Sequence, residues 1–337
     1  MAELKPALRT GAYDRREDTV GHLRLAAIAL LAACAAPAFA QKAAAAKPAV
    51  EAAPSMIETS DMLWAKPDGA DLNLTVYRDK AAKGALPVLI DVHGGAWSSG
   101  DRTGDKLYCE ALARTGLLVV SIDFRQAPKF QHPSGSADVA AAVRWVRLNA
   151  TSLKADPKRI GLIGSSSGGH LALLESLRPN ASPHKGTPIT DGRSFATHDD
   201  IDATVDYVVA MWPVSDPAAR YRYAQRAKIE ALIKGGEAYF RNEDAMWDAS
   251  IPRIVTAGEA KALPPILVIQ PGADSNIPQD MTFDLLHAWQ ARGGKVEYAF
   301  FPGQPHAFGH RPSAATDDLV LMIAAFIQRR LTEATDH

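Results

Sequence analysis

The stretch Ile160-Gly161-Leu162-Ile163-Gly164-Ser165-Ser166-Ser167-Gly168-Gly169-His170 decides how the chain is read. An apolar run stops at a G-x-S-x-G pentapeptide, Gly164 to Gly168 with Ser166 at its centre. A helical pattern, Leu171-Ala172-Leu173-Leu174, follows. Strand, sharp turn and helix in that order make a nucleophile elbow. The turn holds the central serine in a strained backbone conformation, and a side chain two places away would collide with the neighbouring strand or helix. Glycine at both flanks removes those side chains, leaving the Ser166 hydroxyl exposed at the C-terminal end of a sheet. The same pentapeptide occurs in plain Ser/Gly-rich loops; the strand before it and the helix after it set this one apart.

Outward from the elbow, strands and helices alternate, which predicts a mostly parallel sheet flanked by helices. Residues 72–77 alternate with period two and predict an outer strand, and 87–92 a buried strand leading into His93-Gly94-Gly95-Ala96-Trp97. Further strands are predicted at 117–124, 159–164, 205–211, 266–270 and 296–301. Helices are predicted at 103–114, 138–148, 279–292 and 314–331. Two segments break the rhythm. Residues 179–202, rich in Pro, Gly, Thr, Ser and Asp, predict a long surface loop. Residues 216–263 are helical in pattern and carry Tyr221, Tyr223, Tyr239, Phe240 and Trp247 between two sheet strands. An insertion there lies above the edge of the sheet where such folds bind ligands, and predicts a small helical cap. Its aromatics either line the pocket or form the core of the cap.

A serine hydroxyl becomes a useful nucleophile only when a base takes its proton and a third group orients the base. In the order Ser, acid, His, the acid belongs after the penultimate strand and the base after the last. Asp274 stands in a turn after 266–270, and His306 in the loop after 296–301. Asp280, Asp284 and His310 are nearby competitors, each offset from its strand end. The tetrahedral intermediate also needs backbone N–H donors. One is expected from Ser167, after the nucleophile, and the others from the loop His93-Gly94-Gly95-Ala96-Trp97, where adjacent glycines let the backbone approach a substrate. His93 itself reads as a residue that fixes the loop.

His93-Gly94-Gly95-Ala96-Trp97, Ser121-Ile122-Asp123-Phe124-Arg125, Gly164-Ser165-Ser166-Ser167-Gly168-Gly169, Asp274 and Pro305-His306-Ala307-Phe308-Gly309 together resemble the hormone-sensitive-lipase-like branch of the α/β-hydrolases, especially its bacterial carboxylesterases and acetyl or feruloyl carbohydrate esterases. The resemblance covers about residues 60–330. It implies an α/β-hydrolase fold and a Ser166–Asp274–His306 esterase that uses no cofactor. It also implies oxyanion donors at Gly95, Ala96 and Ser167, with Gly94 adjacent. The chain departs from the commonest pattern at Ala96, where a third glycine is usual (a form also similar to kynurenine formamidases), and at Ser165, where Asp is usual. Short-chain or aromatic acyl esters, free or on saccharides, are the expected substrates. An amidase or formamidase on the same triad, or a non-catalytic binding protein of this fold, are the alternatives.

Composition narrows the remaining possibilities. The 337 residues are 47% hydrophobic with a net charge of −1, which gives no general attraction to nucleic acid or to an anionic membrane. Two cysteines, Cys34 and Cys109, and no Cys/His cluster at zinc spacing predict neither a structural disulfide nor a metal site. Near the N-terminus, His22-Leu23-Arg24, an apolar stretch at 25–36 and Pro37-Ala38-Phe39-Ala40-Gln41 have the three parts of an export signal. The apolar run is too short to span a membrane, which takes about 20 residues. The expected organisation is a signal peptide at 1–40, a flexible linker at 41–56 and a catalytic domain at 57–335. Leu31-Ala32-Ala33-Cys34 also resembles a lipobox, so cleavage after Ala40 and lipidation at Cys34 both stand, and either exports the protein to the periplasm or beyond.

Overall fold

The computed structural model describes residues 56–333. The signal-peptide, lipobox and linker expectations, with Cys34, lie outside the described residues, apart from Met56.

Ten strands form one sheet: β1 (Ile57–Ala65), β2 (Leu72–Asp79), β3 (Leu86–Val92), β4 (Leu118–Ile122), β5 (Ala155–Ser165), β6 (Ile189–Thr190), β7 (Phe195–Ala196), β8 (Tyr207–Met211), β9 (Ile266–Pro271) and β10 (Val296–Phe301). Their order across the sheet is β10-β9-β8-β5-β3-β4-β2-β1-β6-β7. The six strands from β10 to β4 run parallel; β2, β1 and the short β6–β7 ribbon continue antiparallel. Every residue of β4, β8 and β9 is buried, as expected of strands covered on both faces, and their sequences are accordingly apolar apart from Ser121 and Gln270.

The helices are α1 (Lys106–Ala113), α2 (Ser134–Leu148), α3 (Ala150–Leu153), α4 (Ser167–Leu177), α5 (Pro217–Ala227), α6 (Glu230–Tyr239), α7 (Glu243–Asp248), α8 (Ile251–Thr256), α9 (Gln279–Ala291) and α10 (Ala314–Glu333). One apolar layer joins a sheet face to α1 and α10 through Tyr108, Leu112, Leu319, Ile323 and Phe326. The other joins the opposite face to α2, α4 and α9 through Val139, Val143, Leu171, Leu174 and Leu285.

The expected mostly parallel sheet flanked by helices is therefore found, with two differences. Residues 72–77 are not the outermost strand, because β1 pairs along the far side of β2 with Ile57 opposite Asp79. Most of β1 is exposed or half-buried, so Ile57-Glu58-Thr59-Ser60-Asp61 carries no alternating apolar signal. Helix α2 begins at Ser134, four residues before the expected start. Ser134-Gly135-Ser136 has the composition of a loop, yet Gly135 is buried close to Leu171 and the Tyr239 hydroxyl, where a Cβ would come within 2.7 Å of that oxygen. Contact thus overrides composition there. The 179–202 segment is held to the body by Arg144 of α2, whose guanidinium donates to the carbonyls of Pro179 (3.2 Å), His184 (2.8 Å) and Ile201 (3.0 Å).

Candidate active site

Ser166 sits between the end of β5 and the start of α4 with φ 53° and ψ −115°, a conformation that costs a non-glycine residue on the order of 1–3 kcal/mol. The surroundings fix it. Its N–H donates to the Met211 carbonyl (2.9 Å), while its carbonyl accepts from His170 (3.2 Å) and Val214 (3.1 Å). The flanking glycines permit the turn: a Cβ on Gly168 would lie 1.9 Å from the Val92 carbonyl oxygen, and one on Gly164 2.5 Å from the Gly168 backbone.

From this turn a hydrogen-bonded chain runs to the two loops beyond β10 and β9. His306 Nε2 lies 3.1 Å from Ser166 Oγ, and His306 Nδ1 lies 2.8 Å from Asp274 Oδ2. The second carboxylate oxygen of Asp274 accepts from the N–H groups of Asn276 (2.8 Å) and Ile277 (2.9 Å), which locks the carboxylate in place. With Asp274 Oδ2 as acceptor, the ring proton sits on Nδ1 and Nε2 is left free to accept from the serine. The competitors fall elsewhere. Asp280 and Asp284 are on α9, and His310 faces Asp105 at 3.0 Å.

The loop after β3 brings its backbone against the elbow. A Cβ on Gly94 would be 3.1 Å from Ser165 Oγ; one on Gly95, at φ +118°, would be 1.9 Å from the Ser99 carbonyl oxygen. Ala96 and Trp97 follow at φ 51° and 59°. Trp97 is buried and pins the loop: its N–H donates to Ser167 Oγ (3.2 Å), its indole N–H to His170 Nδ1 (3.3 Å), and its ring stacks on Tyr239 at 5.5 Å. His170 in turn donates from Nε2 to the Ala249 carbonyl (3.0 Å). Burial there pushes the His170 pKa down to about 3, so the ring stays neutral as a strut between loop, elbow helix and insert. The N–H groups of Gly95, Ala96 and Ser167 meet no protein acceptor among the described residues. Beneath the loop, Asp91 accepts from Tyr108 (2.9 Å) and Ser121 (2.6 Å), and burial raises its carboxyl well above the ordinary range. The 121–125 motif frames this wall. Asp123 takes the Arg102 N–H (2.9 Å), and Arg125 forms a buried pair with Asp138 (2.8 Å).

These groups open into a cavity of about 540 Å³ containing Ser166, His306, Gly94, Gly95 and Ala96, closed by Trp212, Asn276, Ala231, Leu232 and Arg220. The last three come from α5 and α6, within the segment expected as a cap. The aromatics of that segment divide. Tyr239 and Phe240 are fully buried and pack on Trp97, so they form its core and do not line the cavity. Trp247 is exposed. Tyr223 donates from its hydroxyl to the Ser275 carbonyl at 2.8 Å, tying α5 to the loop that carries Asp274. Arg220, Trp212 and Asn276 had no signal in the sequence: they belong to no motif, and only the folded chain brings them to Ser166. Among the described residues no cluster of His, Cys, Asp and Glu could hold a metal, and no helix is long and apolar enough to cross a membrane.

Residues 74–289 match the BD-FAE family. The chain is 30% identical over 253 residues to Esterase LipC of Mycobacterium tuberculosis, covering 72% of this chain and 58% of that protein. It is 35% identical over 271 residues to the versiconal hemiacetal acetate esterase of Dothistroma septosporum, with 76% of each covered. It thus spans little more than half the length of the mycobacterial relative. A solved esterase from the archaeon Pyrobaculum calidifontis superposes with a TM-score of 0.66 at 24% identity, over 82% of this chain and 85% of that one, a likeness of fold.

Proposed function

The chain belongs to the BD-FAE family, among the hormone-sensitive-lipase-like α/β-hydrolases, and from that premise we propose that it is a serine carboxylesterase. The observation that carries the reading is the chain of contacts from Ser166 through His306 to Asp274, with hydrogen bonds of 3.1 and 2.8 Å. As Ser166 Oγ bonds to the ester carbonyl carbon, His306 Nε2 takes its proton and Asp274 stabilises the imidazolium. The carbonyl oxygen gains the negative charge and is met by the N–H groups of Gly95, Ala96 and Ser167, the last at the N-terminus of α4, where the helix dipole adds to it. Collapse expels the alkoxide, which receives the proton from His306. Water then repeats the sequence on the acyl-enzyme, releasing the acid and restoring Ser166.

Small substrates suit the site. The cavity of about 540 Å³ has room for a short acyl or single-ring ester, and an acetate ester is in the name of one relative. Acetylated or feruloylated saccharides fit a protein exported by the signal-like stretch at 22–41, and export is part of the proposal. The test is labelling with a fluorophosphonate together with turnover of p-nitrophenyl acetate. Label should map to Ser166. Ser166→Ala should lower kcat by about 10⁶ and His306→Ala by a comparable factor, with Asp274→Asn down about 10⁴. A label on another serine, or near-normal turnover by Ser166→Ala, would overturn the reading.

A further inference from the structure

The guanidinium of Arg220 is a buried charge in the cavity wall that the ester-cleaving chemistry does not use. Arg220 lies on α5, is 3% exposed and forms part of the wall of the cavity that holds Ser166. Both of its Nη atoms are buried and neither has a hydrogen-bond partner. An arginine is charged under all ordinary conditions and offers five donors in a planar fork. Enclosing such a group without an anion costs several kcal/mol. Even here, where burial draws its pKa down to about 10, it stays protonated at neutral pH.

Among the described residues no acceptor is hydrogen-bonded to those Nη groups. The acid whose field reaches Arg220 is Asp274, but both oxygens of that carboxylate are already engaged, one by His306 and the other by the N–H groups of Asn276 and Ile277. Its other neighbour is the Trp97 ring, 5.5 Å from the guanidinium carbon, which holds the side chain in place and supplies no anion. A positive charge beside Asp274 also competes with the imidazolium that Asp274 must stabilise, so it does not serve the triad. The remaining charges in the cavity wall, Asp101 and Asp105, sit on the loop after β3 and would turn an anionic group away from themselves.

We propose that Arg220 is a specificity-determining residue that binds a carboxylate of the substrate, so that the preferred esters carry a carboxylate within a few bonds of the scissile carbonyl. This deepens the esterase reading and rests on it for the position of the ester at Ser166. A planar carboxylate matches the two free Nη groups, and a bidentate pair of this kind forms strong charge-assisted hydrogen bonds. The carboxylate could belong to the acid side, as in half-esters of dicarboxylic acids, or to the alcohol side, as in acylated hydroxy acids.

Two pairs of substrates separate those sources: p-nitrophenyl hydrogen glutarate against p-nitrophenyl pentanoate, and 4-acetoxybenzoate against 4-acetoxybenzamide. In the unaltered protein the carboxylated member of one pair should have the higher kcat/KM. Arg220→Met should lower that ratio by about 10- to 100-fold, the range for a hydrogen bond to a charged group, with Arg220→Lys between. A ratio unchanged within about twofold in both pairs would overturn the proposal, as would an equal fall for both members, which would mean that Arg220 acts through Asp274 on the triad. Calorimetric titration of glutarate and of 4-hydroxybenzoate into Ser166→Ala, with and without Arg220→Met, reads the same site without turnover. Loss of that binding in the double variant supports the anion site even where no ester is cleaved, and then it is the esterase reading that fails. Binding that ignores Arg220→Met sinks the anion site alone.

Discussion

The floor and the wall of the cavity are built on different terms. The floor, made of the elbow after β5 and the loop after β3, is backbone packed on backbone: Gly168 against the Val92 carbonyl, Gly95 against the Ser99 carbonyl, with no atom to spare. The wall supplied by α5 and α6 is side chain packed on side chain. Tyr239 and Phe240 lie against Trp97, and caps such as Asp216 on the Ala219 N–H (2.8 Å) hold the helices. Backbone contacts admit one residue type, whereas side-chain contacts admit many. The chemistry common to an enzyme family can therefore live in the floor while selectivity is carried by the wall, where Arg220 sits.

Beyond the triad itself, the largest effect should come from breaking the floor at one of its tightest points. Gly168→Ala places a carbon 1.9 Å from the Val92 carbonyl oxygen and 2.4 Å from that of His93, and no rotamer relieves it because both neighbours are main chain. Either the elbow or the end of β3 has to move. A 1 Å displacement at such a site is worth about 10² in rate, and overpacking against backbone should exceed the usual 1–3 kcal/mol. We expect kcat for p-nitrophenyl acetate to fall at least 10²-fold and the melting temperature to drop by roughly 10 °C. A variant that melts and turns over like the parent would mean that the floor is far more compliant than these distances imply.

The same contrast explains how much of the molecule was legible beforehand. Ser166, Asp274 and His306 stand out in sequence because each follows a buried strand at a defined position in the chain order, and the structure places them within 3.1 Å of one another in series. Glycines in the floor announce themselves since only one residue type fits. Strand β1 did not, because its residues are largely solvent-facing and, paired to β6 only at Ala65, it needs no apolar alternation. Arg220 did not either. An arginine two residues from Arg222 on a polar helix has the sequence signature of a solvated face, and only the packing of α5 over the elbow buries it. Tyr239 and Phe240 were visible as aromatics, but composition cannot tell which way a ring turns.

A smaller effect comes from the helix that continues the floor. Glu175, on α4 well past the elbow, is fully buried with neither carboxylate oxygen hydrogen-bonded, and this burial pushes its pKa up to about 8. The folded state therefore holds a proton that the unfolded chain, with an ordinary glutamate value of about 4.3, releases. Because the folded pKa is the raised one, the associated stability is fully present below about pH 4.3 and is lost as pH rises to about 8, on the order of 3–5 kcal/mol in all. Glu175→Gln removes the titration. Its melting temperature relative to the parent should rise by about 5–10 °C between pH 4.5 and pH 8.5. The buried histidines His132, His170 and His184 titrate equally in both proteins and cancel. A difference that does not change with pH would mean that Glu175 is solvated.

The smallest effect tests the wall on its own terms. Gly236 is a buried glycine inside α6, like Gly168 in α4, yet a Cβ there would meet only the end of the Met246 side chain at 3.3 Å and the Tyr221 ring at 3.6 Å. The methionine terminus can swing aside by a few tenths of an ångström. Alanine also favours a helix interior over glycine by roughly 0.5–1 kcal/mol. Gly236→Ala should accordingly raise the melting temperature by about 2 °C and leave kcat for p-nitrophenyl acetate within twofold. Its neighbour provides the contrast on the same helix. A Cβ on Gly235 would lie 3.1 Å from the Ala96 Cβ, so Gly235→Ala presses on the loop proposed to supply the oxyanion donors. That variant should lose several-fold in kcat with little change in melting temperature. If instead Gly236→Ala melts lower than the parent, the insert is packed as rigidly as the floor, and the division between a fixed chemical base and an adjustable wall does not hold.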